Sequence, residues 1–214
     1  MKLVHCFDVG GTVINMKTVG QRYVELYKTW SKEKKIDETI RKKTISDYEA
    51  RLREESWAIG LKKKEIINAL EGTLHKQNVY ISGKGIFFED TLQVFKDIAK
   101  AGQSIILFAT ADILWLKNEF PEEIRKNIVR ILGDDKTNPA VFTKLVNEEK
   151  AKGHQIISHT ADTLQELKAA KEIKAIPNLF FIDRHHKEKK EEVEKVAVFL
   201  SSMKEADYTH LNGK

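Results

Sequence analysis

Cysteine is almost absent from this chain of 214 residues: Cys6 stands alone, which excludes an internal disulfide and a multi-cysteine metal site. Its neighbours Leu3, Val4 and Phe7 point to packing rather than reactivity. No stretch approaches the ~20 apolar residues of a membrane-spanning helix. Met1-Lys2 leads straight into an apolar run and leaves no room for a signal peptide, so a cytoplasmic protein is expected. Proline is scarce, three in all, and residues 17–78 contain none, so nothing there forbids continuous helix. Excess charge is small as well. The net +5 comes from Lys and Arg interleaved with acids, as in Lys187 to Glu194, the pattern of solvated helix faces. The basic clusters Arg41-Lys42-Lys43 and Lys62-Lys63-Lys64 lack interleaved aromatics on which bases stack. Nucleic acid is not expected as a partner, and neither is a membrane.

What is present is organised around residues 3–14. Leu3, Val4, Cys6 and Phe7 read as a buried strand that ends in Asp8, with Gly10-Gly11 and Thr12 behind it. Paired glycines allow positive φ and close backbone approach, so such a loop can present N–H groups to an anion. An acid at the carboxyl end of a buried strand sits where open α/β sheets bind ligands. The blander reading is a strand end followed by an ordinary turn, and Asp-x-Gly-Gly-Thr alone does not decide between them.

Downstream, Tyr23, Leu26, Tyr27 and Trp30 form a helical stripe; Ile45, Tyr48, Leu52 and Trp57 mark a second helix and Leu61, Ile66, Ile67, Leu70 and Leu74 a third. Residues 15–82 are therefore expected to form an all-helical module, with residues 1–14 and 83–214 forming the main α/β domain. There the pattern predicts a helix over 90–101, a buried strand over 104–109, helical segments through Leu132, and a helix ending before Gly153. A strand over 155–158, a helix over 164–174, a strand over 178–182 and a closing helix over 188–203 follow. Strands alternating with helices argue for a parallel sheet sandwiched by helices.

Parallel strands bring their carboxyl ends to one edge, so Asp8, Thr110, Asp162 and Asp183-Arg184 can converge. An acid, a hydroxyl, a lysine and a second acid are what phosphoryl transfer through a covalent aspartyl intermediate requires, with a divalent cation bridging the acids. Oxygen donors are the environment magnesium prefers.

Here the chain resembles two families at its opening motif: the haloacid dehalogenase superfamily, which begins Asp-x-Asp-Gly-Thr, and the actin-like sugar and acetate kinases, which begin Asp-x-Gly-Gly-Thr. The kinases need a second ATP-binding domain for which this chain is short. Over most of its length the chain resembles the dehalogenase superfamily, with the helical module in place of that family's first-type cap. Asp162 to Glu166-Leu167 and Ala169-Ala170, then Ile182 to Arg184, are similar to enolase-phosphatases. The resemblance implies Asp8 as nucleophile and magnesium ligand, Gly10 supplying a backbone carbonyl to the metal, and Asp162 as a further ligand. It implies phosphate contacts from Gly11, Thr12 and Thr110, and from Lys136, with Lys144 as the other candidate lysine. A small phosphorylated metabolite is the implied substrate and Mg2+ the implied cofactor.

One departure stands out. The family's second acid, two positions after the nucleophile, is Gly10 here. That acid protonates the leaving group and then activates water, work contributing ~10²–10⁴-fold. His5, Asp112 or His159 could replace it. Alternatively the chemistry is that of the phosphonatase-like or dehalogenase-like branches, or the protein binds a phosphorylated ligand or a partner without turnover. His185-His186 point in different directions in either regular structure and read as surface. Lys62, Lys63 and Lys64 could offer an amine for phosphonatase-type chemistry, and read more simply as a solvated helix start.

Overall fold

The first strand, β1 (Lys2–Asp8), is buried from Val4 to Asp8 and forms the middle of the sheet. In the computed structural model, residues 1–53, 68–81, 85–109, 116–184 and 188–211 are described. Thr110, Asp112, Trp57, Lys62 to Lys64 and His185-His186 lie outside them. β2 (Ser104–Ala109), β3 (Ile128–Gly133), β4 (His154–Ala161), β5 (Asn178–Ile182) and β6 (Val198–Leu200) complete the sheet. All pairings are parallel, in the order β3-β2-β1-β4-β5-β6. The sheet grows outward from β1 to β3, then restarts on the other side of β1 with β4. The reversal opens a crevice at the carboxyl ends of β1 and β4.

Alternation along β1 assigns each side chain to a layer. Val4 and Cys6 face a core shared with α4 (Pro139–Ala151) and α5 (Leu164–Glu172), including Phe142, Leu145 and Leu167. His5 and Phe7 face the opposite layer, where α3 (Glu89–Lys100) contributes Phe95 at 4.7 Å from the Phe7 ring and Tyr208 lies 5.5 Å away. Asp8 has the parity of Val4 and Cys6 and so falls on the side of α4 and α5.

Two expectations are corrected. Residues 128–133 are strand, because Ile128, Val129 and Ile131 are β-branched and border β2; among the described residues the helical turns between β2 and β3 are Leu116–Glu119 and Glu122–Arg125. The closing helix is short, Lys190–Glu194, and Val198–Leu200 pairs with β5 instead. β4 is also longer than its pattern suggested, reaching Ala161.

The chain divides into two compact units, Met1–Asn15 with Gly83–Lys214, and Met16–Ser82. The second is built on α1 (Met16–Glu33) and α2 (Glu38–Arg53), with further helical turns over Asn68–Gly72 and Thr73–His75. Its buried face includes Val19, Tyr23, Tyr27, Tyr48, Leu70 and Leu74. Tyr23 Oη bonds His75 Nε2 at 2.7 Å and Tyr48 donates to Glu71, so these two buried phenols are satisfied. Among the described residues no helix is long and apolar enough to cross a membrane.

Candidate active site

Four elements bring three carboxylates and one ammonium together at the crevice: β1, the turn before α4, the end of β4 and α5. β1 ends in Asp8, only 1% exposed. The loop behind it closes on itself: Gly11, at φ 85°, donates its N–H to Ile14 O at 3.0 Å, and Val13 and Ile14 donate to Val9 O. Gly11 therefore shapes the turn, with its own N–H engaged in the loop rather than turned to an anion. Thr12 is fully buried; its hydroxyl donates to Asp8 Oδ2 at 3.2 Å and stands 3.5 Å from Asp162 Oδ1. Val9 N–H donates to Asp8 Oδ1 at 2.7 Å.

Lys136 comes from the polar turn before α4. That turn is set by Asp135, whose carboxylate accepts from Thr137 N–H and Oγ1, and by Asn138, whose side chain caps α4 through Ala140 N–H at 2.9 Å with Pro139 at the first helical position. The Lys136 ammonium donates to Asp8 Oδ1 and to Glu166 Oε2, the latter at 3.0 Å. Burial opposes its charge, but Asp8 and Glu166 outweigh that and raise its pKa. Lys144, one turn into α4, is 71% exposed and 4.0 Å from Glu148, away from this cluster. Burial first, and the Asp8 carboxylate second, hold Asp162 well above the usual carboxylate range.

Glu166 is the residue whose place in the site the sequence did not convey. Its helix α5 follows Asp162 directly, and the (i, i+4) spacing turns it inward, 1% exposed. Its two oxygens divide between Lys136 and His159 Nε2, the second at 2.9 Å. For His159, burial disfavours the imidazolium, but Cys6, its register partner, and Glu166 raise its pKa to about 10.

The remaining candidates lie elsewhere. His5 is fully buried; its Nε2–H donates to Gln103 Oε1 at 2.8 Å and its Nδ1 accepts from Ser158 Oγ at 2.7 Å. Burial lowers its pKa to about 4 against the weaker pull of Gln103, so it is a neutral core histidine. Arg184 Nη2 donates to Asp90 Oδ1 at 2.6 Å and its guanidinium stacks over Phe88 at 4.1 Å. Asp90 also accepts from Ser202 Oγ and Met203 N–H at 2.9 Å each, so the pair ties α3 to the C-terminal segment. A groove of about 550 Å³ on the helical unit, lined by Thr18, Arg22, Leu26 and Tyr80 among others, carries none of this chemistry.

Among the described residues no group of three or more His, Cys, Asp or Glu side chains is arranged to hold a metal ion. The buried Asp8 carboxylate and the half-buried Asp162 carboxylate, with one hydroxyl beside both, nevertheless form a hard oxygen donor pair, and their mutual repulsion, which helps to raise the Asp162 pKa, is what a cation between them would relieve.

No protein-family model matches the chain, and no curated relative does. Solved structures match it along nearly its whole length. One named a haloacid dehalogenase-like hydrolase, from Bacteroides fragilis, is 15% identical with a TM-score of 0.56, over 96% of this chain and 99% of that one. The HAD-hydrolase YfnB from Bacillus subtilis, bound to magnesium, is 11% identical with a TM-score of 0.55, over 95% and 96%. CbbY from Rhodobacter sphaeroides, in complex with xylulose-(1,5)bisphosphate, is 13% identical with a TM-score of 0.52, over 94% and 95%. At such identities the likeness is one of fold: this chain has the fold of the haloacid dehalogenase-like hydrolases.

Proposed function

We propose that the chain is a magnesium-dependent hydrolase of the haloacid dehalogenase type, acting on a small phosphorylated metabolite through a phosphoryl ester of Asp8. The observation that carries this reading is the pairing of Asp8 with Lys136 across the β1/β4 crevice, with Asp162 and Thr12 beside it. Asp8 attacks phosphorus; Lys136 and Thr12 turn from Asp8 to the transferred oxygens, joined by Thr110 from outside the described residues. Glu166, braced by His159, keeps Lys136 charged and aimed. Asp8, Asp162 and the Gly10 carbonyl would hold magnesium, which when bound offsets phosphate charge. The helical unit would be the counterpart of the cap module of enolase-phosphatases. Two neighbours support the reading by what their names carry, one magnesium and the other a sugar bisphosphate.

The test is phosphate release from a panel of phosphomonoesters, with and without magnesium, for wild type and Asp8→Asn. Magnesium-dependent release lost in Asp8→Asn supports the hydrolase; release unchanged in that variant contradicts it. A second reading, a non-catalytic binder of a phosphorylated ligand, is favoured by Gly10, and tight phosphate binding without turnover would select it. Halide release would instead select a dehalogenase-like branch, and borohydride trapping of a lysine adduct a phosphonatase-like one.

A further inference from the structure

Lys136 is one ammonium shared between two buried carboxylates, Asp8 on one side and Glu166 Oε2 on the other, each acid 1% exposed. Two carboxylates held this far from water call for a second cation. It stands behind Glu166. His159, 0% exposed, donates Nε2–H at 2.9 Å to Glu166 Oε1, the other oxygen of the same carboxylate. Its Nδ1 meets no oxygen or nitrogen acceptor among the described residues, so its one strong contact is with Glu166. Burial opposes the imidazolium, and Cys6 and Glu166 outweigh that, raising its pKa to about 10. Phe142 of α4 packs across the ring at 5.0 Å, and in such a dry setting charge acts strongly on its neighbours. Charges therefore alternate along a line from His159 through Glu166 and Lys136 to Asp8.

From this arrangement we infer that His159 is a positioning residue for the chemistry at Asp8: by balancing Glu166 from behind, it decides how Lys136 divides itself between Glu166 and Asp8. The inference rests on the reading of Asp8 as nucleophile and goes beyond a passive brace. Glu166 and the group on Asp8 compete for one ammonium, and the imidazolium weakens the pull of Glu166. Without it, Glu166 draws Lys136 to itself and the phosphoryl oxygens lose their cation. With Glu166 alone neutralised, the buried imidazolium is left unpaired close to Lys136 and repels it. Removing both partners leaves Lys136 free to face Asp8. The order of effects is therefore specific: each single change harms the site more than the two together, an outcome that loss of packing does not give.

The experiment uses the full chain, His159→Gln, which keeps a neutral donor towards Glu166, Glu166→Gln, the double variant and Asp8→Asn. Calorimetry measures binding of beryllofluoride with magnesium, a phosphoryl mimic that needs no knowledge of the substrate. Nitrogen NMR of the imidazole rings at pH 7 reads the charge on His159, assigned by its absence in His159→Gln. The ring is expected to be doubly protonated in wild type. Each single variant should bind beryllofluoride ~10–100-fold more weakly, the usual cost of losing a partner one contact removed from a site, and the double variant more tightly than either single. A neutral His159 ring in wild type overturns the inference, and so does a double variant as weak as the two single losses combined. Wild-type binding that is lost in Asp8→Asn and unchanged in His159→Gln overturns this inference and leaves the proposed hydrolase standing. Absence of binding in wild type sinks the two together. Should His159→Gln fail to fold, Glu166→Gln and the ring charge decide: unchanged binding in that variant, or a neutral ring in wild type, overturns the inference.

Discussion

Lys136 is where charge is concentrated, because one ammonium answers the carboxylates of Asp8 and Glu166 inside a buried site. Lys136→Met removes that cation and should lower turnover or phosphoryl uptake by ~10²–10³-fold, the scale of losing one aimed electrostatic group. Lys144→Met, on the exposed face of α4, should leave both unchanged, as parallel kinetics on the two variants would establish. His5 makes a separate prediction, read in stability. Its folded pKa of about 4 lies below its unfolded value near 6.5, so on acidification the unfolded chain takes up a proton before the native one does. His5 has no effect above pH 6.5, and its contribution turns unfavourable as pH falls from 6.5 to about 4, approaching ~3 kcal/mol. Urea midpoints across that window should fall more steeply for wild type than for His5→Asn. Parallel slopes would contradict the neutral assignment.

Among the elements, α4 does two jobs, carrying the turn of Lys136 at its start and packing beneath the site through Phe142. The Phe142 ring lies 5.0 Å from His159 and 5.4 Å from Phe108, fully buried. Phe142→Ala should cost ~3–5 kcal/mol by denaturant unfolding, and Asn138→Ala ~1 kcal/mol through the lost cap. These features show what sequence could and could not convey. β1, β2 and β5 were legible because central parallel strands read as continuous apolar runs ending in polar residues. β3 and β6 were not: both are edge strands whose mixed exposure imitates a helical face, so Arg130 within β3 and Val198 at 56% exposure blurred the signal. Asp8, Asp162 and Lys136 could be singled out by position and by resemblance. The bond from His159 to Glu166 could not, since it depends on which strand neighbours β1, and one sequence does not state that.

At the scale of the whole molecule, strand order makes the site. Because the sheet reverses at β1, the acids at the ends of β1 and β4 become neighbours although 154 positions separate Asp8 from Asp162. The account requires those ends, with Lys136, to form one pre-assembled pocket for a tetrahedral anion on a carboxylate. Beryllofluoride with magnesium tests that without any knowledge of the substrate, since it caps a reactive aspartate as a phosphoryl mimic. The measurement is thermal unfolding of wild type, Asp8→Asn and Lys136→Met with magnesium alone and with magnesium plus beryllofluoride. Binding at a hundredfold over the dissociation constant would raise the wild-type midpoint by ~5–10 °C. The account predicts that rise in wild type and little or none in either variant. No rise in wild type, or the same rise in all three proteins, would contradict it.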